Sequence, residues 1–418
     1  MIAPGCSELQ LPAVKPAGKS RFTTFWGAII LWFIYLKGEV MYIKIESSRL
    51  NKSKKNNWLR LFIIASAFLL LSQLAKMFAI QRPDLIEKYF SRGLYPVTSR
   101  IQTGFSNLLP FSLYEALIVI IILYALFRII RLIQSISKRS FKFEGLRFLI
   151  HLYLFVSMGL FLFQFLWSLN NYRNPLKDQL ELTVQDTSTA KLDEVYRALI
   201  TSANETRSKL SETQDTVSHP FKTSIVLNSA WEGYHRLAME YPIFHSNRVR
   251  VKGLLLSRIQ TIAGYSGVYN FFTGEPNINT EPPLVTLPHT ACHEIAHQMG
   301  ITLEDEANYV GFLACKDHHN VLFQYSGYLS ALTFVGNSLY QQSPELYSEA
   351  SQLLSDDIKA DQQEISLFWD KYENDTASEI ADKFNEVYLK SNNQTDGMKS
   401  YGKFVDLLIA DYLKNGSI

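Results

Sequence analysis

Three stretches of the sequence, residues 58–80, 112–129 and 148–169, are almost wholly apolar, and each is long enough to cross the roughly 30 Å hydrocarbon core of a bilayer as a helix. An earlier apolar run at 22–36 is shorter. Lys19, Arg21 and Lys37 flank it, and no clear small-residue cleavage site follows. Met41 opens a more coherent protein, so translation is expected to start there and residues 1–40 to lie outside the protein proper. After residue 170 the pattern becomes that of a soluble domain. Amphipathic helical periodicity marks residues 193–200 and 230–239. Between 248 and 279, Val249, Val251, Leu254 and Leu256, then Val268, Tyr269, Phe271 and Phe272, predict two β-strands bounded by glycines.

Basic residues orient the spans. Lys44, Arg49, Lys52, Lys54, Lys55 and Arg60 precede the first, and Arg128, Arg131, Lys138, Arg139, Lys142 and Arg147 surround the join between the second and third. Both clusters fall on one side, which the positive-inside rule makes cytoplasmic. The connection 81–110 carries fewer, Arg82, Lys88, Arg92 and Arg100, and is expected outside with everything after Asn170. Trp167 and Tyr172 fit an interfacial aromatic anchor at that boundary.

The 47% hydrophobic content, with 27 Phe and 22 Tyr, is concentrated before residue 170 and so restates the three spans. A net charge of +2 carries no message about nucleic acid, and with no basic motif or stacking platform in the sequence none is expected as a partner. Three cysteines, Cys6, Cys292 and Cys315, are too few for a disulfide scaffold; Cys292 and Cys315 are read either as a disulfide or as two buried thiols.

The chemistry is concentrated in Thr290-Ala-Cys-His-Glu-Ile-Ala-His-Gln-Met-Gly300. His293 and His297 are four residues apart, about 40° around a helix, so both imidazoles aim at one point, a geometry that suits zinc. Glu294 lies where a carboxylate can take a proton from an activated water. Ala291, Cys292, Ile295, Ala296 and Met299 make the helix mostly apolar, so its polar groups need partners.

A third ligand is required, with a fourth position left for water. Glu304 shares a helix side with Asn308, Gly311 and Cys315, where small residues permit close helix approach, and is preferred; Glu306 is the alternative. Asn308 is one turn beyond Glu304, placed to hold a histidine from behind. Tyr325, Tyr328 and Tyr401 are candidate donors to an oxyanion. His318 and His319, adjacent on an expected helix, point about 100° apart and are read as surface residues rather than ligands.

These motifs resemble the gluzincin group of zinc peptidases, which pair His-Glu-x-x-His with a later Glu-x-x-x-Asp on a second helix; here Glu304 takes the Glu position and Asn308 stands where Asp is usual. A broader resemblance joins the three spans to Asn171-Tyr-Arg-Asn-Pro-Leu176, Gly267-Val-Tyr-Asn-Phe-Phe-Thr-Gly-Glu-Pro-Asn-Ile-Asn279, Glu304-Asp-Glu-Ala-Asn308, Tyr325-Ser-Gly-Tyr328 and the segment from Ser400 to Leu408. Together these look like a family of bacterial membrane proteins catalogued as domain of unknown function 3810.

The expected fold is therefore a three-span α-helical membrane part followed by a mainly α-helical, α+β zincin-like domain with a small sheet. Its divisions are an N-terminal cytoplasmic segment 1–57, a transmembrane region 58–170, a helical linker region 171–245 and a metallopeptidase domain 246–418. The expected activity is that of a zinc metalloendopeptidase, multi-pass in the bacterial inner membrane, acting on peptide or protein substrates outside the cytoplasm. His293, His297 and Glu304 would hold zinc and Glu294 would be the base. The alternative is a catalytically silent sensor or binding protein of the same fold in the cell envelope.

Overall fold

A computed structural model of the protein describes residues 52–137, 141–185, 187–213, 219–372 and 401–418. The apolar run 22–36, Met41, and the basic residues Lys44, Arg49, Lys138 and Arg139 lie outside them. The chain divides into two units, Met1–Leu59 and Arg60–Ile418. The described residues of the first, 52–59, are helical.

Three helices are long and apolar enough to cross a membrane: α1 (Lys52–Gln81), α3 (Leu113–Ser137) and α4 (Phe141–Leu166). They match the predicted spans, with α3 running further than the sequence pattern indicated. Phe68 and Phe161 pack at 4.9 Å between ring centroids, and Ser66 Oγ meets Tyr153 Oη at 3.1 Å, joining α1 to α4.

The connection between the first two spans is not a plain loop. A π-helical segment, Ile86–Leu94, leads into α2 (Tyr95–Asn107), and Tyr95 N donates to Phe90 O five residues back. The buried face of α2 is Tyr95, Ser99, Thr103 and Ser106, almost entirely polar. Those side chains are spent on the soluble part, as described below.

The sheet is three short strands, β1 (Lys252–Gly253), β2 (Gly267–Asn270) and β3 (Glu275–Ile278), in the order β1-β3-β2, with β1 parallel and β2 antiparallel to β3. The strand expected from Val249 to Leu256 reduces to β1. The main-chain N–H groups of Leu255 and Leu256 donate instead to the Glu115 carboxylate, 3.0 and 2.7 Å, and helix α6 (Ser257–Ile262) begins. The central strand β3 escaped sequence reading because Glu275 and Asn277 on it are polar yet fully buried. Glu275 accepts from Leu113 N and Tyr114 N at 3.0 and 2.9 Å, capping the open end of span α3, and Asn277 Oδ1 accepts from Ser112 Oγ at 2.7 Å.

Helix α5 (Thr189–Thr213) packs on α9 (Val321–Gln342), and the pair shares one hydrophobic core with α7 (Leu287–Gln298), α8 (Glu304–Lys316) and α11 (Tyr401–Asn415). Leu199, Val226 and Tyr234, from the region expected to be a linker, belong to that core. Residues 170 and 245 both lie inside the unit Arg60–Ile418. The α7–α8 contact is close because Gly311 lies against the His293 backbone, where a Cβ would stand 3.1 Å from His293 N.

Candidate metal centre

Helix α7 tolerates Pro288 in its first turn, where the missing N–H has no acceptor to lose. It ends in a glycine-closed turn. Gly300 adopts φ +85°, its N–H donates to His297 O at 2.9 Å, and Ile301 N donates to Ala296 O at 3.1 Å. That reversal brings the Ile301 carbonyl back under His297, whose Nδ1–H donates to it at 2.7 Å. That bond makes Nδ1 the donor to the main chain and leaves Nε2 as the nitrogen turned toward Glu304. His293 stands one turn earlier with its ring centroid 4.6 Å from that of His297.

Glu304, in the first turn of α8, completes the group. Its carboxylate oxygens lie 3.3 Å from His293 Nε2 and 3.5 Å from His297 Nε2, and one ligating atom from each residue falls within 4.8 Å of the others. Nitrogens and oxygens about 2.1 Å from a zinc ion in tetrahedral array are separated by about 3.4 Å, so the donor set and its spacing fit the ion. The Glu304 side chain is 38% exposed, against 13% and 7% for His293 and His297, which leaves the cluster open on the glutamate side.

The electrostatics follow from three ionisable groups crowded together. Burial works against charge on His297, but the Glu304 charge outweighs it and lifts the imidazole to about 9. Burial likewise opposes ionisation of Glu304, which His297 and the hydrogen bonds from both imidazoles nevertheless hold well below the usual carboxylate range. The two shifts are the two sides of one ion pair between the His297 imidazole and the Glu304 carboxylate.

Glu294 is adjacent to this group without belonging to it. Its carboxyl is buried and accepts from Tyr269 N on β2, while Oε2 has no partner among the described residues. Burial drives it to about 7, despite the opposing pull of His293 and His297. Gly267, at the start of β2, makes room for it, because a Cβ there would overlap the carboxylate.

Glu306 turns away. It is buried, accepts from Leu176 N at 2.7 Å, and is pushed to about 7 by burial; it stands apart from the His293–His297–Glu304 group. His293 Nδ1 has no hydrogen-bond partner among the described residues, so the expected support from the Asn308 side chain is not made there. Instead the Asn308 main-chain carbonyl meets His289 Nε2 at 3.2 Å. The Tyr325 hydroxyl donates to Asp361 Oδ2 at 2.5 Å and that of Tyr328 meets Ser202, so both are engaged away from the metal cluster. The Tyr401 side chain is outside the described part of the structure.

Cys292 and Cys315 are free and buried, which settles the choice left open between disulfide and thiols. His318 and His319 follow the end of α8 rather than lying on a helix, and their rings stack at 4.6 Å beside Glu232. His318 is buried, against expectation, and both its ring nitrogens are used, by Ser229 O and Asn320 N.

Sequence reading missed the support of the site. The carbonyls of the last turn of α7 have no acceptor role within the helix. Tyr95 Oη and Ser99 Oγ of α2 donate to Gln298 O at 3.0 and 3.1 Å, and Trp167 Nε1 donates to His297 O at 3.3 Å. Trp167, expected with Tyr172 as an interfacial aromatic anchor, is buried with its ring edge-on to His297 at 6.1 Å, and Tyr172 is buried beside it. His289 is a third histidine on the same helix, held neutral by burial and by His293. Its spacing of four from His293 was the available signal.

A family model described as "Protein of unknown function (DUF3810)" matches residues 90–409. The chain belongs to the DUF3810 family. It matches no curated protein and no solved structure. The matched stretch of this DUF3810 chain runs from the π-helical segment through α2, the last two spans and the whole histidine–glutamate cluster to α11.

Proposed function

We propose that this DUF3810 protein is a membrane-anchored zinc metallopeptidase of gluzincin type. His293, His297 and Glu304 hold the ion, and Glu294 is the general base. The observation that carries this reading is the convergence of the His293, His297 and Glu304 donor atoms within 4.8 Å beside a buried carboxylate that is not one of them. A purely structural metal site has no use for such a neighbour.

Zinc held by this set supplies Lewis acidity at the scissile carbonyl and acidifies a water. Glu294 Oε2, without a partner among the described residues, accepts the water's proton and returns it to the leaving amine. A carboxyl lifted toward neutrality is suited to both transfers. Tyr269 N–H holds the other side of the carboxylate in place. Tyr269 pairs with Pro276 at a position between the ladder bonds of β2 and β3, so its N–H points away from β3 and toward the Glu294 carboxylate of α7. The outer edge of β2 is thus the place where an extended peptide would add as a strand, one end of it shared with Glu294. The basic clusters about α1 and between α3 and α4 assign the soluble part to the outer face of the bacterial inner membrane.

Metal analysis of purified variants tests the ligand set. Zinc should be lost in His293→Ala, His297→Ala and Glu304→Ala, and retained at one per chain in Glu306→Ala. Loss in Glu306→Ala with retention in Glu304→Ala would reverse the assignment of the third ligand.

A further inference from the structure

Helix α2 is amphipathic in the wrong sense for a water-facing helix. Ser99, Thr103 and Ser106 are buried and Gln102 is half-buried: Gln298 Nε2 donates to Ser99 Oγ and Thr103 Oγ1 at 2.7 and 3.0 Å, and Gln102 Nε2 donates to Phe271 O at 2.8 Å. Its outward face is apolar. Leu94, Val97, Ile101, Phe105 and Leu108 follow one another at steps of three or four residues, a single helical stripe, and are 53% to 78% exposed. Between Leu94 and Phe111 there is no acidic residue, and Arg100 is the one charge, on a stem long enough to reach past an apolar layer.

A second apolar surface is tied to the same height. Glu115, in the first turn of span α3, accepts the N–H groups of Leu255 and Leu256, so this segment and α6 are fixed at the entry of the span. Leu255 is 82% exposed, and Leu256, Ile259 and Ile262 continue the exposed apolar surface along α6. Both surfaces adjoin residues that must already be at the bilayer boundary: α2 ends a few residues before Leu113, and Ser112 and Asn107 are pinned to the sheet region through Asn277 and Arg248.

We propose that the partner of this face is the bilayer itself. The outward stripe of α2 and the exposed side of Leu255–Ile262 lie in the headgroup–acyl boundary of the leaflet at that end of α3, as an interfacial helix does. The soluble domain then stands on lipid through α2. Its polar side caps the last turn of α7, so the metal cluster is about one helix diameter, roughly 10 Å, above the acyl boundary.

Site-directed spin labelling of the full-length protein tests this. Single cysteines replace Ile101, Phe105 or Ile259, and Leu353 as the control, in a Cys6→Ser background; Cys292 and Cys315 are buried and the unsubstituted background verifies that they do not label. Leu353 is an exposed leucine whose surroundings are polar, with Asn204 donating to its carbonyl. In vesicles of phosphatidylcholine and phosphatidylglycerol, relaxation by oxygen is compared with relaxation by a water-soluble nickel chelate. The oxygen-to-nickel ratio should be several-fold higher at Ile101, Phe105 and Ile259 than at Leu353. Equal ratios would place the face in water and overturn the proposal. Labels reached by neither reagent would overturn it too, by showing the stripe covered by a second copy or another protein.

Discussion

Trp167, one residue beyond the third long apolar helix α4, donates its indole N–H to the main-chain carbonyl of His297 at 3.3 Å and sets its ring edge-on to the same imidazole. A candidate ligand is thus held from behind by the residue that follows a candidate membrane span. Trp167→Phe keeps most of the ring and deletes the donor. It should cost about 1 kcal/mol in stability and lower zinc affinity about tenfold, the lower range for a residue supporting a ligand. Thermal melts and competition with a chromogenic chelator read the two effects. Unchanged affinity in Trp167→Ala as well would separate the span from the metal site.

Gly267 is required by what lies opposite it rather than by backbone conformation. Its Cα faces the Glu294 carboxylate so closely that a methyl group would occupy the same space. Gly267→Ala should therefore displace Glu294 and leave the His293–His297–Glu304 group intact. Zinc content is expected to stay at one per chain while peptide cleavage falls about 10²-fold, the scale of a misplacement near 1 Å. Cleavage at the native rate would show that Glu294 need not occupy this position.

A buried ion pair fastens the π-helical segment to the turn after α7. Arg173 Nη2 and Glu87 Oε1 are 3.0 Å apart, both nearly inaccessible, and Arg173 Nη1 also donates to Gly300 O at 3.2 Å. Burial works to raise the Glu87 carboxyl, but Arg173 and Arg92 together hold it below its ordinary value of 4.5. A depressed carboxyl contributes stability that is present above 4.5 and is lost as the pH falls through the folded-state value. The wild-type melting temperature should accordingly drop on acidification below about pH 4.5. Arg173→Met should cost about 3–5 kcal/mol at neutral pH, because it leaves a buried carboxylate without its buried partner. In that variant the acid-side slope should shrink. Melts of both proteins across this range check the sign.

The parts legible in the sequence were those where one residue type has one physical use. Long uncharged runs marked the three apolar helices, and the four-residue spacing of His293 and His297 brought both rings to one side. The small face of α8, with Gly311, marked Glu304 as the residue facing α7, and it does face it. Illegible were positions whose partners are distant in the chain. Glu275 and Asn277 look unlike strand residues because their side chains are committed to the start of α3, far away in sequence. Ser99 and Thr103 look like loop polarity until Gln298 is seen beside them. Trp167 has the composition of a lipid anchor, and only the fold turns it inward. Leu254 and Leu256 alternate as a strand would, but Glu115 takes the N–H groups of Leu255 and Leu256 and the strand stops.

Glu294→Gln tests the central claim most directly. The substitution keeps the shape of the side chain and removes its capacity to take a proton, so ligand and base functions separate. Zinc content and cleavage of a peptide library are measured on this variant beside the wild type. Zinc should remain at one per chain in both, and cleavage should fall by roughly 10² or more in Glu294→Gln. Wild-type zinc content with undiminished cleavage in Glu294→Gln would contradict the assignment of Glu294 as the base and the mechanism built on it.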